Sequence, residues 1–497
     1  MEELVDSQEK PYELPEGWVW TSLGEISNRI KGKKPKVLGP KSDDLTVPYV
    51  DIEAFEKKVF KAYTDGKDCL ICEPADILIV WDGARCGLVG GGVEGVIGST
   101  LAKLVYYDFN SAYLFYFLQT QYDLINKNPR GVGIPHIEPI IFWNISFPLP
   151  PLNEQRRIVS RLEQLLAQVN AAKEHLAQVP SLMKQFRQSV LAAACSGELT
   201  KEWRKEHPVV EPASELLKRI NEERMKRAKA EGRRKPKKPM KLEGQEVESD
   251  ELTELPEGWT WTTVGLLSYN IQYGYTASSV EEPIGPKMLR ITDIQNDSVD
   301  WETVPYCQIS TEEEQKYLLN EGDLVFARTG ATVGKSYLLK GKFPEAVFAS
   351  YLIRLILSDH LQKEYVSYFF HSYFYWFQIN KGQIGIGQPN VNSKTLSNIV
   401  IPLPPLPEQH AIAERLKDLF HFADEVEQRY QKAQAHLEKL TQSILAKAFR
   451  GELVPQDPND EPASVLLERI KQERAKTTRK NKTVTLLDYY RGEDRKV

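Results

Sequence analysis

At 497 residues the chain is too long for a single hydrophobic core, and length alone predicts three or four structural units. A net charge of −5 argues against a uniformly basic nucleic-acid binder, and five cysteines, an odd number scattered along the chain, exclude a disulfide framework at this size. No apolar run reaches the roughly 18 to 20 residues of a membrane span. The start, Met1-Glu-Glu-Leu-Val-Asp6, lacks the order of a signal peptide, so a soluble, cytoplasmic protein with no membrane partner is expected.

Residues 1–13 are polar and read as a tail. Ordered chain is predicted to begin at Leu14-Pro-Glu-Gly-Trp18, where Pro-Glu-Gly suits a tight turn and Trp18 can anchor a domain entry. The first domain, 14–151, carries a lysine-rich stretch (Lys31, Lys33, Lys34, Lys36, Lys41), then Pro74-Ala-Asp-Ile-Leu78 and Val80-Trp-Asp-Gly-Ala-Arg-Cys-Gly87. A strand is predicted at Val96–Leu101 and an aromatic-rich helix at 111–125, followed by Gly131-Val-Gly-Ile-Pro-His-Ile137.

Pro148-Leu-Pro-Pro-Leu-Asn-Glu-Gln155 then opens a long helix, 152–197. Apolar or small residues recur in alternating steps of four and three at Ile158, Leu162, Leu165, Val169, Ala172, Leu176, Val179, Met183, Phe186, Val190 and Ala193, a heptad seam that requires a partner. Pro180 lies inside this seam and predicts a kink or a helix in two pieces. Gly197-Glu-Leu199 supplies a C-cap glycine. A charged linker, 198–254, follows. Its basic run from Lys218 to Lys241 reads as a solvated face or as an arm near nucleic acid.

The landmarks then return in the same order. Leu255-Pro-Glu-Gly-Trp259 opens a second domain, 255–405. Glu321-Gly-Asp-Leu-Val325, Ala327-Arg-Thr-Gly-Ala-Thr-Val-Gly334, a predicted strand at Val347–Leu352, a helix at 361–378 and Gly385-Ile-Gly-Gln-Pro-Asn-Val391 match their counterparts. Pro402-Leu-Pro-Pro-Leu-Pro-Glu-Gln409 opens the second helix, 406–451, with seam positions Ile412, Leu416, Leu419, Ala423, Val426, Tyr430, Ala433, Leu437, Leu440 and Ile444. The tail, 452–497, repeats the linker's Glu211-Pro-Ala-Ser214 as Glu461-Pro-Ala-Ser464, so tail plus head replaces the linker and the tail is expected near the N-terminus. The fold class expected is α+β: two domains in pseudo-twofold arrangement, separated by two long antiparallel coiled-coil helices, a spacer of about 65 Å at about 1.5 Å per residue. Between landmarks the domains differ. Where the first has its lysines, the second has Tyr269-Asn-Ile-Gln-Tyr-Gly-Tyr-Thr276.

No catalytic motif emerges. Gly330-Ala-Thr-Val-Gly-Lys-Ser336 is one residue short of a phosphate loop, Cys69-x-x-Cys72 has no partner pair at zinc-ligand spacing, and the eight histidines include no HExxH. Pro-Leu-Pro-Pro-Leu, placed before a helix in both halves, reads as strand end and helix start rather than as a polyproline ligand.

The duplicated Leu-Pro-Glu-Gly-Trp, Asp-Ile-Leu…Gly-x-x-x-Gly, Gly-x-Gly-x-Pro-x-Ile/Val and Pro-Leu-Pro-Pro-Leu-x-Glu-Gln blocks, joined by heptad helices, resemble the specificity subunit of type I restriction-modification systems over residues 14 to 470. The resemblance implies two target-recognition domains, each reading half of a split target in double-stranded DNA, and helices that dock methyltransferase subunits. It implies no cofactor for this chain: the methyltransferase partners use S-adenosylmethionine, and a restriction/translocase subunit uses ATP and Mg²⁺. Candidate DNA contacts are Arg29, Lys31, Lys33, Lys34, Arg85, Arg130 and His136 in the first domain. In the second they are Gln272, Tyr273, Tyr275, Thr276, Arg328, Lys335, Gln383, Gln388 and Asn390. The rivals are a self-sufficient nuclease or methyltransferase, and a two-domain coiled-coil scaffold for partners other than nucleic acid.

Overall fold

The computed structural model describes residues 12–131, 133–230, 232, 254–330, 332–381 and 391–477. The chain divides into two compact units, one made of Met1–Ala177 with Gln431–Val497 and the other of Gln178–Tyr430. No described helix is long and apolar enough to cross a membrane.

In the first unit Gly17 turns the chain at φ +83°, and Val19–Ser22 pairs antiparallel with Ser146–Leu149, the strand that feeds the long helix. A four-stranded sheet follows in the order Ser27–Lys31, Leu101–Tyr106, Ile77–Val80, Val89–Gly91. Its strand Ile77–Val80 separates two cores. Ile77 and Ile79 face one that holds Tyr113, Phe117 and Phe147, while Leu78 and Val80 face a smaller one around Phe55, the period of two that a strand imposes. A second sheet runs Tyr63–Thr64, Val47–Val50, Gly95–Ile97, Ile71–Cys72. The second unit repeats this plan with Ser268–Tyr273, Leu352–Leu357, Leu324–Ala327 and Ser336–Leu338. There Leu324 and Phe326 face one core and Val325 another.

Two predicted elements are subdivided. The strand expected at Val96–Leu101 is the end of Gly95–Ile97, a turn, and the start of Leu101–Tyr106. At Gly98 an added Cβ would lie 2.8 Å from the Val50 carbonyl, so the chain turns where only glycine fits. The helix expected at 111–125 is two, Ser111–Thr120 and Tyr122–Lys127, and Thr120 Oγ1 donates to the Phe117 carbonyl (2.6 Å) at the break. In the second unit the equivalent helix is Lys363–Phe369 and Tyr373–Lys381.

The first long helix is in two pieces, Leu152–Ala177 and Val179–Ser196, with Pro180 in the opening turn of the second piece, where its missing N–H costs nothing. The second, Leu406–Phe449, is continuous over 44 residues. Within the first unit the helices run antiparallel: Ile158, Leu162 and Val169 are buried in one core with Ile444, Ala448 and Phe449, Leu165 packs against it, and Lys173 Nζ donates to Thr441 Oγ1 (3.4 Å). Within the second, Ile412 and Leu416 are buried with Val190, Leu191 and Ala194, Leu419 packs alongside, and Arg187 pairs with Asp424 at 2.6 Å. The seam is incomplete. Leu176 and Val426 are half-buried, Leu437 is half-buried against the first core, and Leu440 is 38% exposed.

Both helices end on a left-handed glycine, Gly197 at φ +80° and Gly451 at φ +74°. Beyond each, the Glu-Pro-Ala-Ser segment docks on an entry turn: Ala213 N–H donates to the Gly258 carbonyl and Ala463 N–H to the Gly17 carbonyl, both at 2.8 Å. Leu216 and Ile220 are buried beside the one, and Leu466 and Ile470 beside the other.

Candidate nucleic-acid interface

The helix-start motif fixes each domain by polar anchors. Trp18 Nε1 donates to Glu154 Oε2 (2.9 Å) and Trp259 Nε1 to Glu408 Oε2 (2.8 Å). Gln155 and Gln409 each donate to a proline carbonyl, Pro150 and Pro404, at 2.9 Å. The buried hydroxyls of Tyr113 and Tyr365 donate to the Pro148 and Pro402 carbonyls at 3.0 and 2.6 Å. Trp18 stands out in sequence as an entry anchor and Glu154-Gln155 as part of the helix-start motif, whereas their pairing and the roles of Tyr113 and Tyr365 do not. The carboxylates are compensated differently. Glu408, fully buried, accepts from Arg204 (2.6 Å) and Thr200 (2.7 Å). Glu154, 1% exposed, accepts from Gln456 at 3.3 Å, and burial pushes its carboxyl above the ordinary range.

On this frame three segments of the first unit converge: the strand Ser27–Lys31, the loop after Ile77–Val80, and the strand pair Pro129–Arg130 with His136–Ile137. Ile137 N–H donates to the Trp81 carbonyl (3.0 Å) and Gly83 N–H to the Pro135 carbonyl (2.7 Å), which seats the strand pair on the loop. At the junction Asp82 bonds Lys31 Nζ through Oδ2 (2.5 Å) and His136 Nδ1 through Oδ1 (2.8 Å). The Arg29 guanidinium stacks 3.8 Å from the Trp81 ring. Arg130 is opposite His136 in register and exposed. Lys33 and Lys34, just past the strand Ser27–Lys31, are exposed, whereas Arg85 is engaged by Glu56. Lys31, Arg130 and His136 thus share one edge of the unit, and Arg29 joins them by its contact with Trp81. Asp82 and Trp81 were not anticipated, since what ties them to residues 29, 31 and 136 is tertiary.

The second unit builds the equivalent place from different groups. Arg328 stands where the first unit has Trp81, and its guanidinium lies 4.9 Å from the Tyr273 ring. The Tyr273 hydroxyl accepts from Ser393 N–H (3.0 Å) and lies 3.2 Å from Ser393 Oγ. Val391 N–H donates to the Arg328 carbonyl (2.9 Å), the counterpart of Ile137 on Trp81. Thr276 and Lys335 are exposed. Gln272 donates to the Lys316 carbonyl (3.0 Å), and the Tyr275 ring packs 5.3 Å from that of Tyr317, so both have internal duties. Gln383, Gln388 and Asn390 lie outside the described residues. The segment Gly330–Ser336 leads into the strand Ser336–Leu338 and so lacks the helix N-terminus of a phosphate loop. It borders a cavity of about 560 Å³ lined by Thr329, Thr332, Lys335, His371 and Trp376. Burial lowers the His371 pKa, which favours the neutral imidazole. Among the described residues no group of three or more His, Cys, Asp or Glu is placed to hold a metal. Cys72 is buried with its thiol 2.8 Å from the Val93 carbonyl.

One α+β scaffold used twice, carrying two different polar edges and tied to a helix pair, defines a two-domain recognition protein. The family model for the type I restriction modification DNA specificity domain matches residues 15–181 and again 279–435, and the chain belongs to that family. It is 30% identical to the type I restriction enzyme EcoKI specificity subunit of Escherichia coli (strain K12), over 93% of this chain and 96% of that one. It is 28% identical to the MjaVIII specificity subunit of Methanocaldococcus jannaschii, over 88% and 94%. Two solved structures share the fold. One is a chain from a study of complex assembly and conformational transition in the type I R-M system, with TM-score 0.62, 21% identity, 89% of this chain and 100% of that chain. The other is the HsdS subunit from Thermoanaerobacter tengcongensis, with TM-score 0.52, 22% identity, 90% and 100%.

Proposed function

We propose that this chain is the DNA-recognition subunit of a type I restriction-modification complex, with residues 14–151 and 255–405 each reading one half of a split target. The observation that carries the reading is the duplicated frame with unlike edges. Trp18–Glu154 and Trp259–Glu408 are the same anchor, yet where one unit has Lys31 and Asp82 the other has Tyr273 and Thr329 at the corresponding positions. Unlike edges on like frames read unlike half-sites, so the target is asymmetric. Lys33, Lys34, Arg130 and Lys335 neutralise phosphates, and Lys31, His136, Tyr273 and Arg328 approach base edges. Gln383, Gln388 and Asn390 stay candidates from sequence.

The chain supplies address and assembly and carries out no chemistry of its own. Methyltransferase subunits that use S-adenosylmethionine dock on the helices 152–197 and 406–451. A restriction/translocase subunit driven by ATP and Mg²⁺ joins them in the cytoplasm. The test is genome-wide mapping of adenine methylation in cells expressing this chain with its methyltransferase partner, against cells lacking only this chain. We expect a split, asymmetric motif that depends on the chain. An active, bound partner that writes no such motif would favour the scaffold reading instead.

A further inference from the structure

Asp82 is an acid held between Lys31 and His136. Its side chain is 14% exposed, beneath Lys31 and His136 at 43% and 44%. The loop that carries it is fixed on two sides: Asp82 and Trp81 N–H groups both donate to the Thr100 carbonyl (3.2 and 2.8 Å), and Asp82 forms a β-bridge with His136. An ionised carboxylate only accepts hydrogen bonds, so the hydrogen between Asp82 Oδ1 and His136 lies on Nδ1. Nε2, on the far side of the ring, is then an acceptor in the neutral imidazole. Lys31 spends one of its three donors on Oδ2 and keeps two.

Resting on the DNA-recognition reading, we propose that Asp82 is a positioning residue for the first half-site. It orients Lys31 and His136 as a matched donor and acceptor at neighbouring base edges: Lys31 toward guanine O6 or N7, His136 Nε2 toward the amino group of adenine or cytosine. The second unit has Thr329 at the equivalent place and ties its Tyr273 to Ser393 instead, so the device belongs to one half-site only.

The test uses the full chain with its methyltransferase subunit and reads the methylated motif. A wild-type chain that directs no motif would sink the DNA-recognition reading itself, a result separable from any below. Given a wild-type motif, Asp82→Asn is expected to relax one or two adjacent base pairs of a single half-site by about tenfold or more, leaving the other half-site intact. Asp82→Glu, which keeps the charge, retains more of the selectivity. His136→Ala and Lys31→Met relax the same base pairs, and adding His136→Ala to Asp82→Asn relaxes nothing further. Should Asp82→Asn fail to assemble, the two single variants carry the test, because their side chains are exposed. Unchanged selectivity in these variants, or relaxation scattered over both half-sites, overturns the assignment.

Discussion

The ion pair between Arg354 and Asp323, at 2.7 Å with both side chains about 5% exposed, shows how one residue can matter differently in two copies of a frame. Its counterpart is Lys103 with Asp76, also at 2.7 Å, but 25% and 17% exposed. Both aspartates also cap a turn by accepting a backbone N–H at 2.8 Å, from Asn320 and Glu73. Removing one partner of a buried pair leaves an uncompensated charge, whereas water repairs much of the loss at a more open one. Arg354→Met is therefore expected to cost about 3–5 kcal/mol at pH 8, and Lys103→Met no more than about 1 kcal/mol, by urea unfolding. Burial holds the Asp323 carboxyl above its ordinary range, against the pull of Arg354. A raised carboxyl binds its proton more tightly in the folded than in the unfolded chain. Its contribution is thus most favourable below the unfolded value and declines as pH rises through the folded one. Without Arg354 the carboxyl rises further, so the Arg354→Met penalty should be smaller at pH 5 than at pH 8. Equal penalties at both would show that Asp323 does not take up the proton.

At the scale of elements, what sequence disclosed was what periodicity and local chemistry determine. Steps of four and three pick out Ile158, Leu162, Val169, Ile412 and Leu416, which are buried, as well as Leu440, which is not, and the C-cap glycines stand at both helix ends. Gly98 was missed as a turn because its need arises from the Val50 carbonyl, far off in sequence. Glu154 and Glu408 stand in sequence only as part of the helix-start motif, yet each is buried against a tryptophan from its domain entry. The cluster of Lys31, Asp82 and His136 was half legible: Lys31 and His136 stand out in sequence, but the carboxylate that joins them is an ordinary aspartate until the strands pair. The glycine ends allow a quantitative check. At Gly197 and Gly451 a Cβ would run into Pro256 and Pro15, and φ is left-handed, so alanine there should cost about 2 kcal/mol or more. Gly341 has φ +69° and open space around a Cβ, and alanine should cost only about 1 kcal/mol. Thermal unfolding of the three variants tests the difference, and a Gly197→Ala as mild as Gly341→Ala would mean that the entry turn shifts to accommodate it.

For the molecule as a whole, the first unit is assembled from both ends of the chain, with Leu466 and Ile470 buried in a core that Trp18 and Ile158 also line. Its polar attachments to the helix motif include Trp18 on Glu154, Tyr113 on the Pro148 carbonyl, and the Asn110 N–H on Gln155 Oε1 (2.9 Å), beside an apolar core in which Tyr113 and Phe117 pack on Phe449. The candidate DNA edge shares none of these groups. A first domain from another family member should therefore replace residues 14–150 if it supplies an entry tryptophan for Glu154 and aliphatic and aromatic residues to meet Leu466 and Phe449. Frame and edge being separate, such an exchange is expected to change one half-site of the methylated motif and to leave the other half-site and the gap between them unaltered. A motif changed in both halves would mean that the edges do not read DNA independently. A change in the gap alone would shift the role of this domain from reading bases to setting their spacing.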